Sequence, residues 1–317
     1  MDGRNELELI DRFVRRFERG GRGLVAGPGD DCAILRPTRG MEICATTDTV
    51  REGVHFGPRF LPGDIGHKAL AVNLSDLAAM GASPRWFLVA LELPPCWTGP
   101  RIDALAAGMA RLAAIHGCHL AGGNVCRADA LAITLTALGE LPAGTALRRD
   151  GLRPGDLLAV TGRLGSAALG LRRLRRRRGG GEEELAQLRP EPRVAVGLAA
   201  RGIASAAIDL SDGLAQDLPR LCRASSCGAE IWAEALPVSR AVARQRDRLE
   251  LCLGGGEDYE LLLGLSEGRL PELLRRVARV GVPLTVIGRA TKGRALRLSA
   301  RQGEALGPLP ERGWAHF

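Results

Sequence analysis

The stretch AAIDLSDGLAQDL at Ala206–Leu218 places a short apolar run directly before acidic turn residues. The run Ala206–Leu210 has the length and composition of a buried strand, and Asp209 lies at its end. Asp212 and Gly213 form a dipeptide that favours a turn. Folds place functional side chains in the loops that follow strands. The stretch therefore predicts a sheet strand that presents carboxylates at one end.

The remaining pattern predicts two domains of the α/β class, each combining a sheet with helices. The segment Pro142–Asp156 is rich in glycine, proline and charge, so we place the domain boundary there. We expect an N-terminal domain at residues 1–142 and a C-terminal domain at residues 143–317. The predicted strands cover Met41–Thr47, Arg85–Leu93, Ala130–Leu138, Asp156–Thr161, Ala206–Leu210, Tyr259–Leu265 and Leu284–Ile287, and the longest predicted helices cover Asp64–Met80 and Arg101–His116.

The positive charge is concentrated in one place. The net charge is +8, and six arginines lie within LRRLRRRR at Leu171–Arg178. The acidic run GGGEEE follows at Gly179–Glu184. A local run of this kind is typical of a solvated helix end or loop and not of a basic stripe across a fold. We therefore expect a flexible insert at Gly179–Glu184 and no binding of nucleic acid.

The hydropathy pattern gives no sign of a membrane protein. The longest stretch without Asp, Glu, Lys or Arg is Leu112–Cys126, which has 15 residues. A membrane-spanning helix needs about 20 apolar residues. The first residues lack the apolar core of a signal peptide. We therefore expect a cytoplasmic protein without a membrane partner.

Five short segments carry acids in glycine-rich or apolar surroundings, where an unpartnered carboxylate is costly to bury. Taken singly, each acid could be an ordinary turn, cap or exposed helix residue. Taken together, they indicate carboxylates that converge on one site, with Asp48 and Asp209 each expected at the end of a strand. The segments are GPGDDCAIL with Asp30 and Asp31, ATTDTVREGVHF with Asp48, AVNLSDLAAMG with Asp76, AIDLSDGL with Asp209 and Asp212, and LGGGEDYELLL with Glu257 and Asp258.

These acids point to phosphate chemistry that depends on Mg2+. Converging carboxylates repel one another unless cations lie between them, and oxygen donors without nearby histidine or cysteine favour Mg2+. Glycine pairs such as Gly122–Gly123 let backbone amides approach phosphate oxygens. The sequence contains neither a GxxxxGKS/T loop nor the HRD and DFG motifs of protein kinases. We therefore expect a nucleotide-binding fold of another kind.

An ordered set of motifs gives the chain a family resemblance. The set consists of GDDCA, TTDTVREGVHF, NLSDLAAMGA, LAGGNVCR, RDGLRPGD, DLSDGLAQDL, GGGEDYELL and the terminal GWAHF. In this order the motifs closely resemble those of the thiamine-monophosphate kinase family. That family belongs to the superfamily of aminoimidazole-ribonucleotide synthetase and selenophosphate synthetase. The resemblance extends from about Asp11 to Phe317.

The resemblance implies a PurM-like, two-domain architecture. In it, an α+β N-terminal domain with a mixed sheet pairs with a second subunit, and an α/β-type C-terminal domain follows. It implies that ATP and several Mg2+ ions lie between the domains of a homodimer, and that ATP phosphorylates thiamine monophosphate without a protein nucleophile or strong base. By motif position it implies metal ligands at Asp30, Thr46, Thr47, Asp48, Asp76, Asn124, Asp209 and Asp212, ATP contacts at Gly123, Arg149, Ser211 and His116, and thiamine phosphate contacts at His55, Glu257 and Trp314.

The sequence departs from the family pattern at three positions. Asn124 stands where the family has an acid, His116 where an aromatic residue near ATP is common, and Ala315 where aspartate is usual. Asparagine offers a metal one carbonyl oxygen but no charge. Two alternatives to the kinase therefore stay open at this point. One is a catalytically weakened nucleotide-binding protein, and the other is a different ATP-using enzyme of the same superfamily.

Overall fold

The protein folds into two compact units. The computed structural model describes residues 6–18, 20–97, 99–176, 181–300 and 303–310. Unit 1 comprises Met1–Leu77 with Ser83–Gly144, and unit 2 comprises Ala78–Ala82 with Thr145–Phe317. Each unit combines helices with a sheet, which confirms the predicted α/β class.

Unit 1 is built on a mixed four-stranded sheet. The strand order is β3-β6-β4-β5, in which β4 and β5 run parallel and the other pairs run antiparallel. A two-stranded ribbon, β1 with β2, precedes this sheet. The strands are β1 (Leu24–Ala26), β2 (Ile34–Leu35), β3 (Met41–Arg51), β4 (Ser83–Leu93), β5 (His119–Arg127) and β6 (Ala132–Pro142), and the helices are α1 (Glu6–Val14), α2 (Pro62–Ala79) and α3 (Gly99–His116).

The four-stranded sheet of unit 1 has one buried and one exposed face. Successive side chains of a strand point to opposite faces, and along β4 Val89 and Leu91 are buried whereas Leu88 and Ala90 are exposed. Thr46 of β3 contacts α2 on the buried side. The exposed face still carries large apolar side chains, because Leu88 is 38% exposed and Ile43 is 41% exposed.

A buried carboxylate connects two strands of this sheet with the segment that precedes β3. Glu140 of β6 is 2% exposed, and it accepts hydrogen bonds from both the backbone amide and the hydroxyl of Thr38. Arg85 of β4 donates to the same carboxylate at 2.9 Å. Although burial opposes ionisation, the Thr38 and Arg85 donors hold the pKa of Glu140 below its ordinary value. The carboxylate therefore stays charged and joins the segment before β3 to two strands.

Unit 2 contains a seven-stranded sheet in the order β13-β12-β9-β11-β7-β10-β8. Neighbouring strands of this sheet pair antiparallel, except β9 and β12, which run parallel. The central strands β7 and β10 are buried along their whole length, as apolar strands covered on both faces are. The strands are β7 (Leu157–Thr161), β8 (Ala206–Asp209), β9 (Gly228–Trp232), β10 (Leu261–Leu265), β11 (Leu284–Thr291), β12 (Leu296–Ser299) and β13 (Ala305–Pro308), and the helices are α4 (Ser166–Arg175), α5 (Glu182–Leu188), α6 (Val194–Ala200), α7 (Leu214–Ala224), α8 (Arg240–Ala243), α9 (Arg248–Gly254) and α10 (Leu270–Ala278).

Two sequence-based expectations about this architecture were wrong. The segment with Gly122 and Gly123 was not among the predicted strands, but it forms the middle of β5, which pairs with β4. The segment Gly179–Glu184 was expected as a flexible insert, but helix α5 begins within it, at Glu182. Residues 177–180 lie outside the described residues. Among the helices that the structure describes, none is both long and apolar enough to cross a bilayer.

Candidate functional site

In unit 1, two oxygen side chains from different elements meet at the sheet. The hydroxyl of Thr46 donates a hydrogen bond of 2.5 Å to Oδ2 of Asp76. Asp76 lies near the end of α2, where it is half-buried among buried apolar neighbours such as Leu74 and Leu77. Asp48 follows Thr46 by two positions on β3, so both share one face of the strand. The fold therefore brings Thr46, Asp48 and Asp76 to one side of the sheet.

Asp48 lies inside its strand and not at the end, which corrects the expectation from the sequence. β3 continues for three residues beyond Asp48, and Thr49 and Val50 pair with Thr134 and Ile133 of β6. These β-branched residues favour extended backbone and extend the ladder. The carboxylate is nevertheless exposed, because it lies on an edge strand.

Asn124 is separated from the Thr46, Asp48 and Asp76 group. Across the sheet, Asn124 of β5 pairs with Ala90 of β4, and through Thr134 of β6 this row of paired residues reaches Thr49 of β3. Asn124 therefore lies in the row next to that of Asp48. A one-residue offset turns a side chain to the opposite face of the sheet. β5 and β3 are the two edge strands, and three strand spacings put them about 14 Å apart. Within one chain, Asn124 and Asp48 cannot share an ion.

Three other candidates of unit 1 lie away from this group. A Cβ at Gly123 would overlap the carbonyl oxygen of Val89, so only glycine fits this position. Thr47 faces the exposed side, where its hydroxyl donates to the carbonyl of Leu135 at 3.2 Å and accepts from Thr136. Asp30 lies in the exposed turn between β1 and β2, where its carboxylate accepts the backbone amide of Asp31 at 2.9 Å.

His55 is held in a defined orientation after β3. Its Nδ1 accepts the backbone amide of Arg51 at 3.1 Å, and its own amide donates to the carbonyl of Arg51 at 2.9 Å. The buried Lys68 donates to the carbonyl oxygen of His55. Because Nδ1 acts as an acceptor, the proton of the neutral ring sits on Nε2. His55 can therefore offer an N–H donor to an anion such as a phosphate.

A cavity of about 370 Å3 lies beside the C-terminal end of α3, where His116 is the last helical residue. The residues that line it include Phe17, Arg111, Cys118 and His119. Its size falls within the usual range of small-molecule sites. His116 itself is half-buried and does not line this cavity, although the next residue, Gly117, does.

In unit 2, backbone hydrogen bonds join the two acidic loops. The amide of Glu257 donates to the carbonyl of Ser211 at 2.7 Å, and the amide of Tyr259 donates to the carbonyl of Leu210 at 2.9 Å. Glu257 and Tyr259 both have left-handed backbone, with φ of 68° and 50°. Such strain in residues other than glycine is concentrated at functional sites. The fold therefore places Glu257 next to Ser211, at the end of β8, where Asp209 is the last residue.

Asp212 belongs to a charged cluster at the start of α7. Its carboxylate pairs with Arg220 at 2.6 Å, and Arg220 also pairs with Asp217 at 2.6 Å. Asp217 accepts the backbone amides of Asp212 and Gly213. Burial, with the neighbouring Asp212 carboxylate, raises the pKa of Asp217 to about 6. The cluster is thus a pair of carboxylates bridged by one guanidinium.

Asp258 and Arg149 have distinct positions in unit 2. Asp258 accepts the amides of Gly165 and Ala167 at the N-terminus of α4, and burial raises its pKa to about 7 against the effect of these donors. That carboxylate has a structural role as a helix cap.

Arg149 is exposed, while its carbonyl accepts the hydroxyl of Ser225 at 2.6 Å. Trp314 lies outside the described residues.

Comparisons with known proteins place this geometry in a family. Two family models match the chain, the AIR synthase related protein N-terminal domain at residues 29–141 and the C-terminal domain at residues 153–301. The thiamine-monophosphate kinase of Salmonella typhimurium (strain LT2) is 43% identical over 292 residues, which cover 89% of each chain. The chain belongs to the thiamine-monophosphate kinase family. The family resemblance predicted from the motifs is thereby confirmed.

Solved structures of the thiamine-monophosphate kinase family share this fold. The thiamine-monophosphate kinase of Stenotrophomonas maltophilia K279a is 38% identical, with a TM-score of 0.85 over 94% of this chain and 96% of that one. AaThiL, solved in complex with AMPPCP and TMP, is 31% identical, with a TM-score of 0.78 over 91% of each chain. The predicted PurM-like, two-domain architecture is therefore confirmed.

The oxygen donors of this kinase family member fit Mg2+. Across the described ranges, no three His, Cys, Asp or Glu side chains are grouped so that they could hold a metal ion. Proteins usually bind Mg2+ through one or two carboxylates plus substrate phosphates and not through complete protein cages. Asp48 and Asp76 beside Thr46 are a small oxygen-only set of that kind, whereas the Asp212 carboxylate is paired with Arg220. The donor chemistry suits a hard cation.

Sequence reasoning did not anticipate three residues of this family member that contact the candidate site. Arg220 and Asp217 bind Asp212, and Gln187 binds Glu257. Asp217 and Arg220 follow Asp212 within the DLSDGLAQDLPR stretch, so the i, i+3 spacing on α7 was a usable signal for their pairing. Gln187 is 70 residues away from Glu257 in sequence, and no local pattern connects them.

Proposed function

We propose that this chain catalyses the ATP-dependent phosphorylation of thiamine monophosphate to thiamine diphosphate. The observation that carries the proposal is the 43% identity to the Salmonella kinase over 89% of both chains. The AaThiL complex with AMPPCP and TMP supports ATP as the co-substrate and thiamine monophosphate as the acceptor. The enzyme is thus a phosphotransferase with a phosphate group as acceptor.

The chemistry asks for positioning more than for a reactive side chain. An oxygen of the acceptor phosphate bonds to the γ-phosphorus of ATP in line with the breaking bond to the β-phosphate oxygen, and ADP leaves. The acceptor oxygen is already ionised at neutral pH, so no strong general base is required. The transition state is loose and needs charge neutralisation and alignment. We therefore assign no catalytic nucleophile or base to the chain.

Mg2+ fits the proposed reaction through oxygen donors such as Thr46, Asp48 and Asp76. When bound, it would neutralise the phosphates and let two anions approach each other. Asp76 is the central protein ligand of unit 1 in this proposal, because Thr46 fixes one of its oxygens. The proposed ligands are Asp30, Thr46, Thr47, Asp48, Asp76, Asn124, Asp209 and Asp212.

The remaining candidates would bind the two substrates. His55 can donate from Nε2 to a phosphate oxygen, since its Nδ1 is occupied by the amide of Arg51. Gly123 lies in an exposed part of β5, and Arg149 offers an exposed guanidinium. We assign Gly123, Arg149, Ser211 and His116 to ATP, and His55, Glu257 and Trp314 to thiamine monophosphate.

We also propose that the chain acts as a cytoplasmic homodimer. The N-terminal domain at residues 1–142 would bind ATP and Mg2+ and form the dimer, and the C-terminal domain at residues 143–317 would complete the ATP and substrate site. The exposed apolar face of the unit 1 sheet supports the dimer, because an apolar sheet face of this kind favours association. Ile43 and Leu88 are its most exposed large side chains.

A charge at Leu88 should prevent dimerisation. We expect the wild type to be a dimer by size-exclusion chromatography with light scattering, and Leu88→Arg to be a folded monomer, since the new charge would be buried unpaired in the interface. Leu274→Arg is the matched control, because Leu274 is 41% exposed on α10 of unit 2. A Leu88→Arg protein that remains a dimer would show that another surface forms the interface.

Asn124 should set the Mg2+ requirement. We expect Asn124→Asp to reach half-maximal turnover at lower Mg2+ than the wild type, because the restored carboxylate adds a charge that asparagine lacks. The measurement is a Mg2+ titration of turnover for both proteins at saturating ATP. An unchanged or higher midpoint in Asn124→Asp would show that position 124 does not bind a metal. Since Asn124 lies about 14 Å from Asp48 by strand spacing, that result would leave the ligands near Asp76 unaffected.

Substrate comparison tests the proposed activity against the alternatives. Purified protein should consume ATP with thiamine monophosphate and show no comparable turnover with selenide or with aminoimidazole-pathway substrates. ATP consumption that depends on one of the latter would identify another enzyme of the superfamily. ATP binding without turnover on any of them would identify a nucleotide-binding protein that has lost its activity.

A further inference from the structure

The acidic segment after the arginine run is part of the folded core of unit 2. Glu183 is 5% exposed and Gln187 is 1% exposed, although both are polar residues of the short helix α5. A buried polar side chain is retained only where it has hydrogen-bonding partners or a specific role. The interpretation of this segment as a solvated insert was therefore wrong, and α5 needs an explanation of its own.

Two contacts fix α5 in place. Glu183 accepts a hydrogen bond from Arg173 at 2.7 Å and another from the hydroxyl of Ser239 at 2.9 Å. Arg172 pairs with Asp247 at 2.7 Å, so the arginines at the end of α4 hold neighbouring elements together. A Cβ at Gly170 would overlap the carbonyl of Glu183, which shows how closely α4 and α5 pack. The helix is therefore a rigid support.

Gln187 extends from this support to Glu257. Its Nε2 donates a hydrogen bond of 2.5 Å to Oε2 of Glu257. Its Oε1 is buried and has no hydrogen-bond partner in the part of the chain that the structure describes. The contact with the Glu257 carboxylate is thus the bond that determines how the Gln187 amide is turned.

Glu257 is already constrained from its backbone side. Its amide bonds to Ser211, and its φ of 68° holds it in a conformation that few non-glycine residues adopt. Fixing one carboxylate oxygen through Gln187 leaves the other oxygen in a defined direction. A glutamate that is fixed at its backbone and at one carboxylate oxygen can recognise a cationic heterocycle with little loss of side-chain freedom on binding.

We propose that Gln187 is a positioning residue that orients the Glu257 carboxylate toward the cationic ring system of the phosphate acceptor. This inference rests on the proposed function, in which Glu257 binds thiamine monophosphate. It assigns the buried face of α5 to acceptor recognition, and it gives Arg173, which pairs with Glu183, an indirect part as an anchor of that helix. In this proposal ATP would contact neither Gln187 nor the Glu257 carboxylate.

The test compares steady-state kinetics of Gln187→Met with the wild type. Methionine keeps the length of the side chain and removes the donor, so KM for thiamine monophosphate should rise about 10-fold, because a hydrogen bond to a charged group is lost. KM for ATP and kcat should change less than about 2-fold, since the interaction concerns binding of the acceptor alone. Gln245→Met is the matched control, because among the hydrogen bonds described the side-chain amide of Gln245 donates only to the carbonyl of Ala241.

A second variant and thermal unfolding separate positioning from folding. Gln187→Glu keeps the shape but places a second carboxylate against Glu257, and we expect a larger rise in KM for thiamine monophosphate than in Gln187→Met. Equal KM values for the acceptor in the wild type and both variants would overturn the inference. A parallel rise in both KM values, with a lowered melting temperature, would also overturn it, since that pattern indicates a merely structural residue. A wild type that does not phosphorylate thiamine monophosphate would instead overturn the proposed function on which the inference rests.

Discussion

Asp76→Ala is expected to abolish phosphoryl transfer and to leave the protein folded. Asp76 is the carboxylate that Thr46 holds through a hydrogen bond of 2.5 Å, on the same side of the sheet as Asp48. Without Asp76, the cation that would align the phosphates loses a protein ligand. A loss of about 1,000-fold in kcat is expected from the size of such electrostatic effects. Removing one of two neighbouring carboxylates relieves repulsion, so the melting temperature should stay the same or rise.

The measurement is turnover at saturating substrates together with thermal unfolding. Asp129→Ala is the matched control, because Asp129 is an exposed acid in the turn between β5 and β6 of the same unit. The control should retain wild-type turnover. If Asp76→Ala retains more than about a tenth of wild-type kcat, the effect is too small for a metal ligand, and the proposed metal site of unit 1 is wrong.

Glu260→Leu is expected to destabilise unit 2 by about 3 kcal/mol, because the largely buried Arg193 guanidinium then keeps only its ion pair with the exposed Glu191. Glu260 is 4% exposed and accepts two hydrogen bonds from Arg193, at 2.6 Å and 2.7 Å. The hydroxyl of Thr161 donates to the same carboxylate at 2.6 Å. Glu260 precedes β10, so the cluster joins that strand to the start of α6.

The double variant Arg193→Met with Glu260→Leu shows whether the loss comes from the unpaired charge. Replacing both partners by apolar residues should recover at least half of the lost free energy of unfolding, because no charge is then left buried without a partner. Urea unfolding followed by circular dichroism gives both values. Glu267→Leu is the control, since its ion pair with Arg289 is exposed and should contribute less than about 1 kcal/mol. A Glu260→Leu protein as stable as the control would contradict the expectation.

Sequence reasoning predicted the regular elements well where the apolar pattern was strong. The helix predicted at Asp64–Met80 is α2, and the strand predicted at Arg85–Leu93 is β4 with two more residues at its start. β5 was missed because Gly122 and Gly123 weaken strand propensity and are typical of loops. In the fold, the pairing of β5 with β4 outweighs that local preference.

The candidate site was only partly accessible to sequence reasoning. The order of motifs identified the family, and strand periodicity could place Thr46 and Asp48 on one face. The separation of Asn124 from Asp48 depends on strand order, which the motifs do not contain. The burial of Glu183 and Gln187 was equally hidden, because a run of polar residues normally indicates an exposed helix face.

The most direct measurement mixes purified protein with ATP, Mg2+ and thiamine monophosphate, and follows the phosphorus resonances of all species. We predict that thiamine diphosphate and ADP form in equal amounts, that no inorganic phosphate accumulates, and that chelation of Mg2+ stops the reaction. Equal formation shows that the γ-phosphoryl group passes from ATP to the acceptor phosphate. Release of inorganic phosphate without thiamine diphosphate, or no consumption of ATP at any Mg2+ concentration, would contradict the proposed kinase activity.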